Sequence, residues 1–242
     1  MFKTIVFSAF GAGLAACAAL TVLQQTTTEP LILHAEVFED ASSVHDHGGI
    51  VVADADERVS AAAMPSAPET PEAEAWSPAD GFERTVYTVL ANLVIGVAVA
   101  LILLGGMVLK GDPIDGRRGL LWGLAGFAAA SLLPALGLPP ELPGTPAADL
   151  LSRQAWWTAT AVASAAGIAC LVFGRRMALA VGVVLLVAPH LVGAPPPPSH
   201  DAAYPAGLAG EFVAASIVVS AALWSIAGFT AGWLHQRLSR AA

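Results

Sequence analysis

Six stretches of this chain run for 16 to 24 residues without Asp, Glu, Lys or Arg: Ile5 to Leu23, Val86 to Leu109, Leu120 to Leu138, Trp156 to Phe173, Met177 to Val192 and Phe212 to Leu234. A helix rising 1.5 Å per residue needs about 17–25 apolar residues to cross a ~30 Å hydrocarbon core. Met177 to Val192 is the shortest of the six, and the others fit directly. Composition agrees: 56% of residues are hydrophobic and 12% are charged, against roughly 25% charged in soluble domains. The expectation is an all-α integral membrane protein, a polytopic bundle of about six transmembrane helices.

Basic residues test that expectation independently, because loops retained in the cytoplasm keep Lys and Arg. With the N-terminus inside, Lys3, Lys110, Arg117, Arg118, Arg175, Arg176, Arg237 and Arg240 fall inside, eight of the eleven; Arg58, Arg84 and Arg153 fall outside. Of the nineteen acids only Asp112 and Asp115 fall inside. The predicted orientation is therefore N-in and C-in. Aromatic residues follow the boundaries, with Trp76, Tyr87, Trp156, Trp157 and Tyr204 toward the outer side and Trp122 and Trp233 toward the inner, as interfacial rings do.

The chain reads as a single membrane domain, 1–242, with a first span at 5–23, a long extracytoplasmic loop at 24–85 and five further spans within 86–234. Its start also resembles a signal peptide, and Leu14-Ala15-Ala16-Cys17 resembles a lipoprotein cleavage box. The apolar run continues past Cys17 to Leu23, which favours a retained first span. Residues 59–75, rich in Ala, Glu, Ser and Pro, lack apolar periodicity and read as a disordered linker.

Candidate ligands cluster on the predicted outer side. Pro189-His190 closes the fifth apolar run, the prolines Pro195 to Pro198 follow, and then come His200 and Asp201. A histidine at the end of an apolar segment costs desolvation energy unless paired, hydrated or ligating; the plainer alternative is a helix end in interfacial water. In the long loop, His34 and Glu36 stand two apart and His45-Asp46-His47 follows. Imidazole with carboxylate suits borderline divalent ions such as cobalt, nickel or zinc. The spacing matches no closed zinc motif, and histidines in an acidic loop also serve as ordinary solvated residues.

Elsewhere the sequence is quieter. Ser77 or Asp80 can cap the second helix and Glu83 suits its first turn. Asn92 is expected to hydrogen-bond a neighbouring helix. Gly228 and Gly232 form a GxxxG spacing that permits close helix contact. Cys17 and Cys170 lie in apolar runs and read as packing residues. The chain has no GxxxxGK[ST] phosphate loop, no HExxH and no recognisable nucleophile–base motif. It is therefore expected to be neither an enzyme nor able to power transport with nucleotide by itself. A net charge of -8, concentrated outside, argues against nucleic acid and favours attraction of cations.

Several segments carry a resemblance. PLILHAEVFE, WSPADGFERTVYTVLAN, LLWGLAGFAA, GLPPELPG followed by RQAWW, and VAPHLVGAP are similar to the CbtA family of predicted cobalt transporter subunits, over both ends and nearly all the apolar segments. The resemblance implies Co²⁺ uptake for cobalamin synthesis, with no permanently bound cofactor. It further implies location in the bacterial cytoplasmic membrane and a small CbtB-like partner with one span and histidines. The family's proline-histidine pair matches Pro189-His190, and its acids after the first span match Glu36 and Glu39. Its GAP triplet is commonly followed by a histidine; here Pro196 stands there and His200 follows four residues later. The family is often described with five spans, whereas the charge pattern supports six.

Two functions of different classes compete: a metal-uptake subunit that captures its ion with outer His and carboxylate groups, and a non-transporting scaffold or sensor that binds a partner through the outer loop. Reporter fusions after Lys110, Arg176 and the C-terminus should all report cytoplasm, and a periplasmic signal at the C-terminus would rule out the six-span arrangement. Deleting residues 59–75 should leave membrane accumulation nearly unchanged, because this stretch has little apolar surface to bury; loss of the protein on deletion would contradict that.

Overall fold

The computed structural model describes residues 2–46, 78–79, 81–111 and 113–241, with only the backbone given for 40–46. The expected linker at 59–75, His47 and the candidate caps Ser77 and Asp80 lie outside the described residues. Among the described residues the structure is all-helical, and five of its helices are long and apolar enough to cross a membrane. They are α1 (Phe2–Thr26), α3 (Phe82–Lys110), the broken helix 116–135, α6 (Leu150–Phe173) and α8 (Ala206–Ala241). The sixth apolar run forms α7 (Arg176–Val192), a helix of 17 residues. A further helix, α2 (Thr28–Asp46), occupies what reads in the sequence as the start of a loop.

The centre is formed by α1, α3, α8 and α4 (Gly116–Phe127). Ala9, Ala12, Ala16 and Leu20 recur every three or four residues and give α1 one buried face, against Val99, Ala100, Leu103, Leu104 and Met107 of α3 and Ala227 and Ala231 of α8. Lipid tails are as apolar as leucine, so helices associate in a bilayer through close packing, and small residues permit it. Three interfaces have a pair of facing glycines. On α4 and α8 a Cβ at Gly119 would collide with the Gly228 carbonyl, and one at Gly232 with the Asp115 carbonyl. A Cβ at Gly96 of α3 would stand 3.0 Å from the Gly13 carbonyl of α1, and one at Gly167 of α6 would stand 3.0 Å from the Gly182 carbonyl of α7. The GxxxG spacing at Gly228 and Gly232 is thus the contact surface of the largest helix interface. Asn92, buried on α3, donates to Gln24 Oε1 at 2.6 Å and Thr21 Oγ1 at 3.2 Å on α1. Cys17 packs against α3 with its Sγ 3.3 Å from the Val89 carbonyl.

The helix begun by α4 continues through one π turn, Ala128–Leu132, and the short α5, Leu133–Ala135. Pro134 explains the irregularity. It lacks an N–H for the carbonyl four residues back, and its ring would clash there; widening the turn relieves the clash. The Leu133 N–H accordingly bonds Ala128 O, five residues back. The α6–α7 hairpin stands beside this turn, with α6 against the π segment and α5, and α7 packed mainly on α6. Outward faces of the helices are apolar, as at Val94, Ile102, Val162, Val184 and Val218, the surface a lipid environment requires.

Helix ends sort by charge. Gly11 faces Leu234, Gly116 faces Phe229 and Trp233, and Lys110 Nζ sits 4.7 Å above the Phe173 ring. The start of α1, the end of α3, the start of α4, the end of α6 and the end of α8 therefore share one end of the bundle. Lys3, Lys110, Arg117, Arg118, Arg175, Arg176, Arg237 and Arg240 all belong to that end. Asp115 caps α4 there, accepting from Arg118 N at 2.9 Å. At the opposite, acidic end, α2 lays Leu31, Ile32, Ala35 and Phe38 against Leu142, Tyr204, Leu208 and Phe212.

The glycine contacts give a direct stability prediction. Gly119→Ala or Gly228→Ala should destabilise the protein by about 1–3 kcal/mol, the usual cost of overpacking. Gly105→Ala, where a Cβ meets no atom within 4 Å, should be neutral. Thermal unfolding in detergent followed by tryptophan fluorescence checks this; equal behaviour of the three variants would refute it.

Candidate functional site

The acidic end is assembled from turns that proline and capping residues hold in place. After α5, the turn runs through Pro139, Pro140 and Pro143 to Asp149, which caps α6 by accepting from Ser152 N at 2.9 Å and Ser152 Oγ at 2.8 Å. Those bonds, the backbone one first, hold the Asp149 carboxyl below its ordinary range. The second turn, after α7, begins at Gly193, whose φ of 84° only glycine adopts easily and whose N–H closes the helix on Pro189 O at 3.1 Å. Tyr204 hydroxyl bonds Thr145 Oγ1, itself 2.6 Å from Leu142 O, and so ties the two turns together.

His190 occupies the last turn of α7. Its ring meets Trp156 of α6 edge-on, centroids 6.1 Å apart, and Trp156 in turn covers Gly137. His190 Nε2 is buried and has no hydrogen-bond partner among the described residues. Pro189 leaves the Leu185 carbonyl without its usual donor. Three more buried groups without a partner lie on α6: Trp156 Nε1, Thr160 Oγ1 and Ser164 Oγ. Spaced four residues apart, they fall on one face of α6, and the Thr160 and Ser164 side chains are 0% exposed. Such groups normally find a partner in a native fold, so the concentration of four beside one helix hairpin marks this region chemically. Only His190 is legible as a candidate in the sequence; Trp156 reads as interfacial, and the i, i+4, i+8 recurrence of polar groups on α6 is the signal that could have found the others.

The remaining candidates are spread along the same end. His200 lines a cavity of about 320 Å³ with Glu141, Thr145, Arg153 and Tyr204. Asp201 turns back on the chain, its Oδ2 accepting from Ser199 Oγ at 3.1 Å. His34, exposed on α2, stacks on Phe38 at 5.4 Å. Glu36 is engaged by Arg84, whose Nη2 and Nη1 reach its two oxygens at 2.6 and 3.2 Å, a fork-to-fork pairing that fastens α2 to the start of α3. His45 lies near the end of α2 and His47 beyond the described residues. Among the described residues no three His, Cys, Asp or Glu side chains converge as a metal-holding group. The structure therefore sets His190 against Trp156 and lines one cavity with both His200 and Glu141, while His34 and Glu36 lie on α2.

Glu141 and Arg153, absent from the sequence-derived candidates, form an ion pair at 2.6 Å. They also line a second cavity of about 630 Å³ with Ser131 of the π turn, Gln154 of α6, and Ser216 and Ser220 of α8.

No curated protein and no solved structure matches the chain. A family model described as "Probable cobalt transporter subunit (CbtA)" matches residues 2–236, nearly the full length. Multi-pass apolar helices and this match together place the chain in a membrane-transporter family: it belongs to the CbtA family of probable cobalt transporter subunits.

Proposed function

We propose that this chain captures a divalent transition-metal cation, Co²⁺ first and Ni²⁺ or Zn²⁺ as alternatives, at its acidic end and passes it inward as one subunit of an uptake system. The observation that carries the reading is His190 Nε2, buried and without a protein partner beside the Pro189 turn. A neutral imidazole offers that nitrogen as a metal ligand, and the freed Leu185 carbonyl supplies an oxygen of the kind that broken helices present to ions. The Trp156 indole N–H cannot ligate a metal but can donate to a water that the metal retains.

The basic end faces the cytoplasm in this reading, in a bacterial cytoplasmic membrane, since Lys and Arg are retained there. Seventeen of nineteen acids then face outward and draw cations to the surface. His200 and Asp201 offer a first contact on the loop after α7, and His34, His45 and His47 offer further ones on and after α2. Glu36 joins them only by releasing Arg84. The partner that the word subunit requires is a small one-span protein whose histidines deliver or receive the ion.

His190→Ala is expected to lower cobalt accumulation by at least about tenfold in apparent affinity, within the range seen when metal-orienting groups are lost, at unchanged protein level. The double change His45→Ala and His47→Ala should lower it mildly, because neighbouring carboxylates and water replace loop ligands. Accumulation measured over a range of external Co²⁺ decides the matter. Parent-like uptake by the His190 variant would reduce the histidine to a helix-end residue, and uptake that does not depend on the chain at all would favour a scaffold or sensor.

A further inference from the structure

We propose that Trp156, Thr160 and Ser164 continue the His190 site inward, as a buried row of polar groups that takes up the water shell a divalent cation keeps. The choice of cation rests on the transport reading above; the unpaired polar row itself does not.

Serine and threonine hydroxyls within a helix have a partner at hand in the carbonyl one turn back, and elsewhere in this chain they use it. Ser8, 0% exposed on α1, donates to Thr4 O at 2.6 Å, and Thr88 on α3 donates to Arg84 O at 2.9 Å. Thr160 and Ser164 are buried as completely as Ser8, with the carbonyls of Trp156 and Thr160 one turn behind them, yet neither hydroxyl has a partner among the described residues. Trp156 Nε1 and His190 Nε2 share that condition. Leaving a buried donor or acceptor unpaired is unfavourable. Four such atoms on one hairpin therefore point to a polar partner that is not part of the chain.

The row has a direction and an end. Trp156, Thr160 and Ser164 stand one turn apart on one face of α6 and cover about 12 Å along its axis. Trp156 marks the outer end, its ring against that of His190. Ser164 lies near the middle of the 24-residue helix. Gly167 continues the same face, and there the α6–α7 seam closes on backbone: a Cβ at Gly167 would stand 3.0 Å from the Gly182 carbonyl, beside Leu186. The polar groups thus begin at His190 and stop at a close helix contact, the form of a resting place rather than of a through passage. Room for a ligand comes from the α7 side, because α7 packs mainly on α6 and can shift without disturbing the central bundle.

The groups suit a cation that stays partly hydrated. Neutral imidazole binds the metal directly through Nε2. Water held by a divalent ion is acidified and so becomes a stronger hydrogen-bond donor, and the oxygens of Thr160 and Ser164 accept from it. Neither α6 nor α7 contains Asp or Glu, and Arg153, in the turn before Trp156, is neutralised by Glu141 at 2.6 Å. A row without a carboxylate binds a divalent ion weakly enough to release it, which movement of an ion requires.

The test is equilibrium binding of Co²⁺ to the purified protein by titration calorimetry, paired with thermal unfolding in the absence of metal. Thr160→Val and Ser164→Ala should each weaken binding severalfold, while Thr160→Ser, which keeps the hydroxyl, and Thr158→Val, at an exposed position of the same helix, should bind like the parent. Neither Thr160→Val nor Ser164→Ala should lower the unfolding temperature, because each removes a buried group that lacks a partner. Parent-like affinity in both variants would overturn the row, and so would an unfolding temperature that falls together with affinity, since the hydroxyls would then be structural. Loss of binding in His190→Ala with parent-like binding in the two hydroxyl variants would leave capture at His190 standing and the row refuted. A parent that binds none of Co²⁺, Ni²⁺ and Zn²⁺ would refute the row as a cation site. If the hydroxyl variants bind weakly but cobalt accumulation does not depend on the chain, the row stands and the transport reading fails.

Discussion

Everything in this structure depends on how closely helix backbones can approach where the surroundings are as apolar as the side chains. Burial supplies little preference for helix against helix in lipid, so contact density must come from shape. The Gly119–Gly228, Gly13–Gly96 and Gly167–Gly182 pairs meet that constraint at three separate interfaces. The first joins α4 to α8, the second α1 to α3 and the third α6 to α7, while the buried alanines of α1 and α8 bring the first two pairs into one central bundle. Polar links such as Asn92 to Gln24 and Thr21 add orientation to a register that the glycines have already set.

Outside this close-packed centre, irregular backbone collects at one edge. The α6–α7 hairpin reaches the bundle through the π turn and α5, and both its neighbouring prolines, Pro134 and Pro189, withdraw a backbone donor near the acidic end. Irregular backbone at membrane depth is tolerated where it is enclosed by protein or lines a cavity, and Ala130 and Ser131 of the π turn do border one. The groups without protein partners on α6 and α7 collect on this hairpin, and the central bundle lacks a comparable set among the described residues. Close glycine packing and unpartnered polar groups are thus divided between two parts of one chain.

That division explains what could be read in the sequence. Six apolar runs, the placement of basic residues at one end and Asn92 as an interhelical donor are local or periodic features, and each is visible in the structure. Helix α2 is not legible in the sequence because its polar residues obscure the apolar face formed by Leu31, Ile32, Ala35 and Phe38. The Arg84–Glu36 pair was hidden for a different reason: its members are far apart in sequence, and Glu36 viewed alone is simply an acid beside a histidine. Glu141 and Arg153 stand on either side of a proline-rich turn, and only the fold shows that they meet.

The length of α7 has a consequence for the surrounding bilayer. Seventeen residues cover about 25 Å, some 5 Å less than a typical hydrocarbon core. A helix that is short by this amount is accommodated by local thinning of the lipid or by drawing the headgroup region toward it. Because α7 lies at the edge of the bundle and carries His190 in its last turn, that deformation falls, in the proposed uptake reading, on the side where an ion would leave water. The hydrophobic mismatch of one helix would then shorten the apolar distance to be crossed.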